Sequence, residues 1–122
     1  MAYEAPAPFR YSGIAGGTVA AYRFLQDDGS GRVIHATGEG QNIAGVSQMA
    51  GTLDTAIEVW GPPCVVKITA SGALAAGTKV VPTVDGKAAA AGAAGTEYWG
   101  WLLEASTGDN QLVTLMFIPG TV

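Results

Sequence analysis

The chain has 122 residues, 48% of them hydrophobic and 13% charged, with a formal net charge of −4. That length suits one domain able to bury roughly two thirds of the surface its unfolded form exposes, and the composition excludes a charge-rich disordered polypeptide. Only six residues are basic, which excludes the Lys/Arg stripe needed to follow a nucleic-acid backbone or an anionic membrane, so neither is expected as a direct partner.

The N-terminal MAYEAPAPFRYSG has no basic start followed by an apolar run, and no stretch reaches the ~18 continuous apolar residues of a membrane helix. A soluble product made in the cytoplasm is expected. Pro6 and Pro8 disfavour a helix or a central strand, so residues 1–12 read as an extended arm carrying Tyr3, Pro6, Pro8, Phe9, Arg10 and Tyr11. Residues 13–122 then read as a single β domain with little helix. Strand-like runs punctuated by Gly, Asp-Gly and Pro fall at Thr18–Leu25, Arg32–Ala36, Ile43–Ser47, Thr55–Trp60, Val65–Ala70, Thr78–Thr83, Tyr98–Leu103 and Gln111–Ile118. Their spacing predicts an all-β fold, a compact sandwich or barrel-like domain of short strands.

In CVVKIT, Cys64, Val66 and Ile68 share one face, while Val65, Lys67 and Thr69 share the other, the alternation of a half-exposed strand. KAAAAGAAG, from Lys87 to Gly95, is interrupted by Gly92 and shorter than the ~12 residues an isolated helix needs, so it reads as loop or flat edge strand. Two similar β-units, about 12–60 and 71–117, are suggested by shared patterns. Ser12–Gly29 and Ser71–Gly86 each run Ser-Gly, small residues, Gly-Thr, strand, Asp-Gly. Ile43–Trp60 lies over Tyr98–Leu115, matching Gly45 to Gly100 and Asp54 to Asp109.

SGALAAGTKVV, Ser71–Val81, approaches a phosphate-binding loop, but Thr78 and Lys79 stand in reversed order and Pro82 forbids the helix such a loop opens. Gly17 and Gly77 are therefore read as turn residues launching strands. His35 is the only histidine, lies in a strand, and has no G-x-S-x-G partner, so no catalytic residue is assigned. One His and one Cys with scattered carboxylates give no metal site, Asp27-Asp28-Gly29 reads as a turn, and no cofactor is expected. Cys64 is alone, which excludes an intrachain disulfide, and has no basic neighbour to activate it.

Trp99 and Trp101 alternate onto one face of a strand whose two sides are both apolar, and Val113, Leu115 and Phe117 line one face of the last strand while Leu112 and Met116 line the other. Trp99, Trp101, Leu115 and Phe117 are thus expected in the core or at a subunit interface.

VVKITASGALAAGTKVVPTVDGKAA, then YWGWLLEASTGDNQLVTLMF, resembles the small capsid decoration, or cement, proteins of tailed bacteriophages, with the closing Gly100-Trp101-Leu102-Leu103-Glu104-Ala105 carrying much of the likeness. The likeness covers Val65–Phe117, and Trp99 and Trp101 are bulkier than the family's pattern. It implies an all-β protein, usually trimeric, on the outer surface of the phage head, bound to the major capsid protein and stabilising the expanded shell without any reaction. The arm from Tyr3 to Tyr11 would then order on the capsid. A rival expectation is a carbohydrate-binding or host-surface adhesion module of a head fibre, using Trp60, Trp99 or Trp101.

Overall fold

The computed structural model describes residues 9–38, 43–92 and 97–121, and among them every regular element is a strand. The first five strands are β1 (Phe9–Ile14), β2 (Phe24–Asp27), β3 (Val33–His35), β4 (Ile43–Ser47) and β5 (Ala56–Gly61). They form one antiparallel sheet in the order β1-β5-β4-β2-β3. The remainder comprises β6 (Cys64–Thr69), β7 (Ala73–Leu74), β8 (Lys79–Pro82), β9 (Ala88–Ala90), β10 (Glu97–Tyr98), β11 (Gly100–Leu102), β12 (Ser106–Thr107), β13 (Leu112–Phe117) and β14 (Gly120–Thr121). Five of these build the second sheet, in the order β6-β13-β11-β8-β9, while β7 pairs with β12 and β10 with β14. The protein is all-β, as its turn spacing predicts.

The two sheets have the same plan. β1, β5, β4, β2 and β3 correspond in order to β6, β13, β11, β8 and β9, and the registers agree at the pairs the two sheets share, the first adding a shift between Leu25 and Gln26. Phe24↔Val46 and Val46↔Trp60 in the first match Lys79↔Trp101 and Trp101↔Met116 in the second. Each sheet curls until its edge strands meet, through a parallel bridge of Ala15 to Val33 in one and Ala70 to Ala88 in the other. Both are therefore small, partly open barrels. The same backbone hydrogen bonds recur at the closure: Ala15 N–H to Thr55 and Gly16 N–H to Val33 are repeated as Ala70 N–H to Gln111 and Ser71 N–H to Ala88.

Two differences from the sequence expectation have local causes. A strand over Thr18–Leu25 is shortened to start at Phe24, because Tyr22 takes φ 64°, a left-handed conformation that interrupts extended chain. Gly77, at φ 83°, launches β8 as expected, but its counterpart is Tyr22, not Gly17: the Gly77 N–H bonds Leu102 O as the Tyr22 N–H bonds Ser47 O. Gly17 has no positive φ. The Ala-rich run supplies β9, at the edge of the second sheet, where small side chains without charge suffice beside the well-packed β8.

The buried side chains form two clusters. Ala15, Val19, Leu25, Val33, Ile57 and Val59 fill the first barrel. The larger cluster fills the second barrel with Val66, Ile68, Val80, Leu102, Val113, Leu115 and Phe117, and takes in Phe24, Ala36 and Val46 from the outer side of the first. Phe24 meets Phe117 edge to face, 6.0 Å between ring centroids. The barrels are thus joined by one apolar core, supported by backbone bonds from Phe24 N–H to Gly86 O and from Thr69 N–H to Tyr22 O, both among the shortest connections between them.

Candidate functional site

Tyr3, Pro6 and Pro8 lie outside the described residues. Phe9, Arg10 and Tyr11, expected in the same arm, belong instead to β1, paired with Gly61, Trp60 and Val59 of β5. The ladder with β5 orders them within the barrel itself, so the part of the chain that would order only on a capsid is not Phe9–Tyr11. On the outer face of this strand pair, the Arg10 guanidinium lies 5.2 Å from the centre of the Trp60 ring and 3.7 Å from Glu58, while the indole N–H of Trp60 donates to the same carboxylate at 2.8 Å. Arg10 thereby covers one side of Trp60, and the other packs on the core. Tyr11 is 39% exposed, and its hydroxyl is pushed above its ordinary pKa by burial first and by the Asp27 carboxylate second.

The four residues expected in the core or at an interface are placed differently by the fold. Leu115 and Phe117 are fully buried in the second barrel. Trp99 sits in the break between β10 and β11, where it packs on the core, and its buried indole nitrogen has no hydrogen-bond partner among the described residues. Trp101 alternates the other way: Gly100 and Leu102 point inward, and Trp101 stands half-exposed on the outer face, between Lys79 and Met116. The two tryptophans therefore do not make a shared aromatic platform. In the row across that face, Lys79, Trp101, Met116 and Val65 are successive cross-strand neighbours, and Val65 is 50% exposed. Leu103 and Leu112 extend the apolar character nearby, each more than two-fifths exposed. Neither the chain pattern nor its periodicity singles out Val65 or Lys79; only the pairing of β6 and β8 with their neighbours brings them into this row.

His35, Cys64, Asp28 and the two buried serines have local structural settings. His35 accepts the Ala20 N–H at Nε2, 2.8 Å away, and its pKa is lowered, by burial foremost and by nearby Arg23, against the opposing pull of Asp85. Burial pushes the Cys64 thiol up to about 11, away from nucleophilic character. Asp28 accepts the hydroxyl and N–H of Ser30 and the N–H of Arg32, which lowers its pKa and makes the Asp-Asp-Gly segment a closed turn. Ser47 and Ser106, both buried, donate to the Ala20 and Gly72 carbonyls. Among the described residues, no group of three or more His, Cys, Asp and Glu is placed to hold a metal ion.

Clefts open on the surface of the described residues. One, about 550 Å³, is lined by Thr18, Val19, Met49, Gly51 and Thr55 at an end of the first barrel. Another, about 430 Å³, lies in the seam between the barrels, with Tyr22, Gln48, Trp60, Val65, Lys67 and Thr114 around it. What the molecule offers is therefore mainly surface, in the form of half-exposed apolar rows on antiparallel sheets.

The sequence matches no protein-family model and no curated protein. The fold does have a solved counterpart, the crystal structure of the head fiber gp8.5 N base in bacteriophage phi29, with a TM-score of 0.72 and 23% sequence identity over 91% of this chain and 94% of that chain. This chain accordingly shares, across nearly its whole length, the fold of a phage head fibre base.

Proposed function

We propose that this chain is a structural protein of a phage head, a module that binds the outer surface of the capsid through the major capsid protein and stabilises the expanded shell. The observation that carries this reading is the shared fold with the phi29 head fibre base over 91% of the chain. The surface is in keeping with it: half-exposed apolar residues on outer sheet faces suit protein contacts, and each weak contact gains force when many copies engage one shell. Catalysis and cofactors have no part in this role, and self-association into a homotrimer is included in it.

Attachment is assigned to residues 1–8, with Tyr3, Pro6 and Pro8, because the following strand β1 belongs to the barrel. Removing residues 1–8 is expected to leave the fold intact by circular dichroism and to abolish binding to expanded heads. Full binding by the truncated protein would sink that assignment.

The second reading, an adhesion module of a head fibre, has support in the same structural likeness. It requires a sugar platform, and Trp60, stacked between Arg10 and the core, does not present a free face. Trp101 is the residue left to it. Tryptophan fluorescence that shifts on titration with host-surface glycans, and no longer does so in Trp101→Ala, would favour adhesion over capsid attachment.

A further inference from the structure

The contact that joins the two barrels inside one chain has a second, unused copy of each of its halves. On the first barrel, the joining row is Arg10, Trp60, Val46 and Phe24, cross-strand neighbours on its outer face. Phe24 and Val46 enter the core of the second barrel and Trp60 packs against it. The structural equivalents on the second barrel are Val65, Met116, Trp101 and Lys79, and this row remains partly open to solvent.

The receiving half is also duplicated. Phe24 is received by the second barrel at Phe117 and at the Thr83–Lys87 turn, where Gly86 O accepts its N–H, while Thr69 N–H bonds Tyr22 O. The equivalents of Gly86 and Thr69 on the first barrel are Gly31 and Ile14. Gly31, at φ 89°, sits in the Asp28–Arg32 turn, closed by the same backbone bond as the turn of Gly86, at φ 74°. Thr69 is buried in this contact, whereas Ile14 is 40% exposed, and Tyr11, the equivalent of the buried Val66, is 39% exposed.

We propose that a second copy of this chain continues the series: the Val65–Met116–Trp101–Lys79 row of one copy docks on the Tyr11, Ile14 and Gly31 surface of the next, repeating between chains the contact that joins the barrels within one. Charge supports that occupant. Lys79 replaces Phe24 in the row, and the surface that would receive it carries exposed Asp27 and Asp28, where the intrachain contact has Pro82 and Thr83. A lysine thus meets two carboxylates where the Phe24–Phe117 ring contact is lost, Gly61 standing on the first barrel in the place of Phe117. The contact would pair Lys79 N–H with Gly31 O and Ile14 N–H with Gly77 O. Because its two sides differ, it is heterologous, and a stable assembly of defined size requires it to close into a ring.

The inference deepens the proposed structural role, but it is tested on the full purified chain without capsid shells, so its failure and the failure of capsid attachment are told apart. Native mass and sedimentation equilibrium of the wild type are expected to give one closed oligomer. Met116→Glu and Ile14→Glu, each blocking one side, are each expected to be monomeric. Mixed together they are expected to form a one-to-one dimer, since one intact Met116 face and one intact Ile14 face remain. A monomeric wild type, full assembly by either variant alone, or failure of the mixture to pair would overturn the proposal. Should either glutamate variant lose its fold by circular dichroism, charge exchange decides: Lys79→Glu is expected to weaken assembly at least tenfold and Lys79→Glu with Asp27→Lys to recover it. Equal assembly by all three proteins, or no recovery, would count against the contact.

Discussion

His35 illustrates how a residue that invites a catalytic reading acts as a structural acceptor. Its Nε2 takes the Ala20 N–H, so only the neutral ring fits, and protonation would set a donor against a donor. Its pKa is lowered in the folded chain, so the unfolded chain binds the proton first as pH falls. Stability from this group is therefore complete above the ordinary histidine value of about 6.5 and erodes as pH drops through it toward the lower folded value. The urea midpoint is expected to fall between pH 8 and pH 5.5, and His35→Gln, which keeps an acceptor without the charge, should flatten that fall. An equally steep fall in the variant would contradict this role. For Cys64, a pKa of about 11 in place of 9.0 leaves roughly a hundredth of the ordinary thiolate, partly offset by the greater nucleophilicity of a more basic sulfur. Alkylation by iodoacetamide at pH 8 should run roughly tenfold slower than that of a free thiol of pKa 9, and a rate equal to the free thiol would show the burial to be ineffective.

At the scale of elements, tight strand approach is set by glycine at two matched positions. A Cβ at Gly45 would strike Trp60 O, and one at Gly100 would strike Met116 O, because β4 against β5 and β11 against β13 make the same close passage. Gly45→Ala and Gly100→Ala are each expected to cost about 1–3 kcal/mol by denaturant titration. Gly77→Ala, forced into the left-handed region, should cost about 1–2 kcal/mol, while Gly17→Ala, with open space around it, should be nearly neutral. Equal effects at Gly17 and Gly77 would contradict the correspondence of Gly77 with Tyr22. The contrast also marks what the sequence could and could not reveal. Gly45 and Gly100 could be matched because no other residue fits that passage, and β4 was legible to its last residue because the short run Ile43–Ser47 is set between Gly-containing stretches of sequence. Tyr22 hid its equivalence to Gly77 because a tyrosine in a left-handed conformation leaves no compositional trace. Asp54 likewise corresponds to Asn110 in φ and in its hydrogen bond, not to Asp109, owing to one additional residue in the second loop. The short strands β7, β12 and β14, two residues each, carry too little periodicity to be seen in sequence.

Across the whole molecule, the two barrels depend on one another through the core that Phe24, Ala36 and Val46 share with the second barrel. Phe24→Ala should cost about 3–5 kcal/mol and destabilise both barrels together, read as a single unfolding transition and as joint loss of amide protection in β5 and β13. Protection lost in β5 alone would mean that the barrels fold separately. That Leu115 and Phe117 share one apolar face was legible from the alternation of LVTLMF, though not whether core or a subunit interface covers it, whereas the outer row of Val65, Met116, Trp101 and Lys79 draws on four separated stretches of chain and exists only once β6, β13, β11 and β8 are side by side. Attachment of this chain to a phage head is tested most directly by co-sedimentation of the purified chain with empty heads, expanded and immature, of the phage that encodes it. Saturable pelleting with expanded heads, at a fixed number of copies per shell and not with immature ones, is the result expected. A chain that stays in the supernatant with both would contradict capsid attachment and shift the function to the adhesion reading.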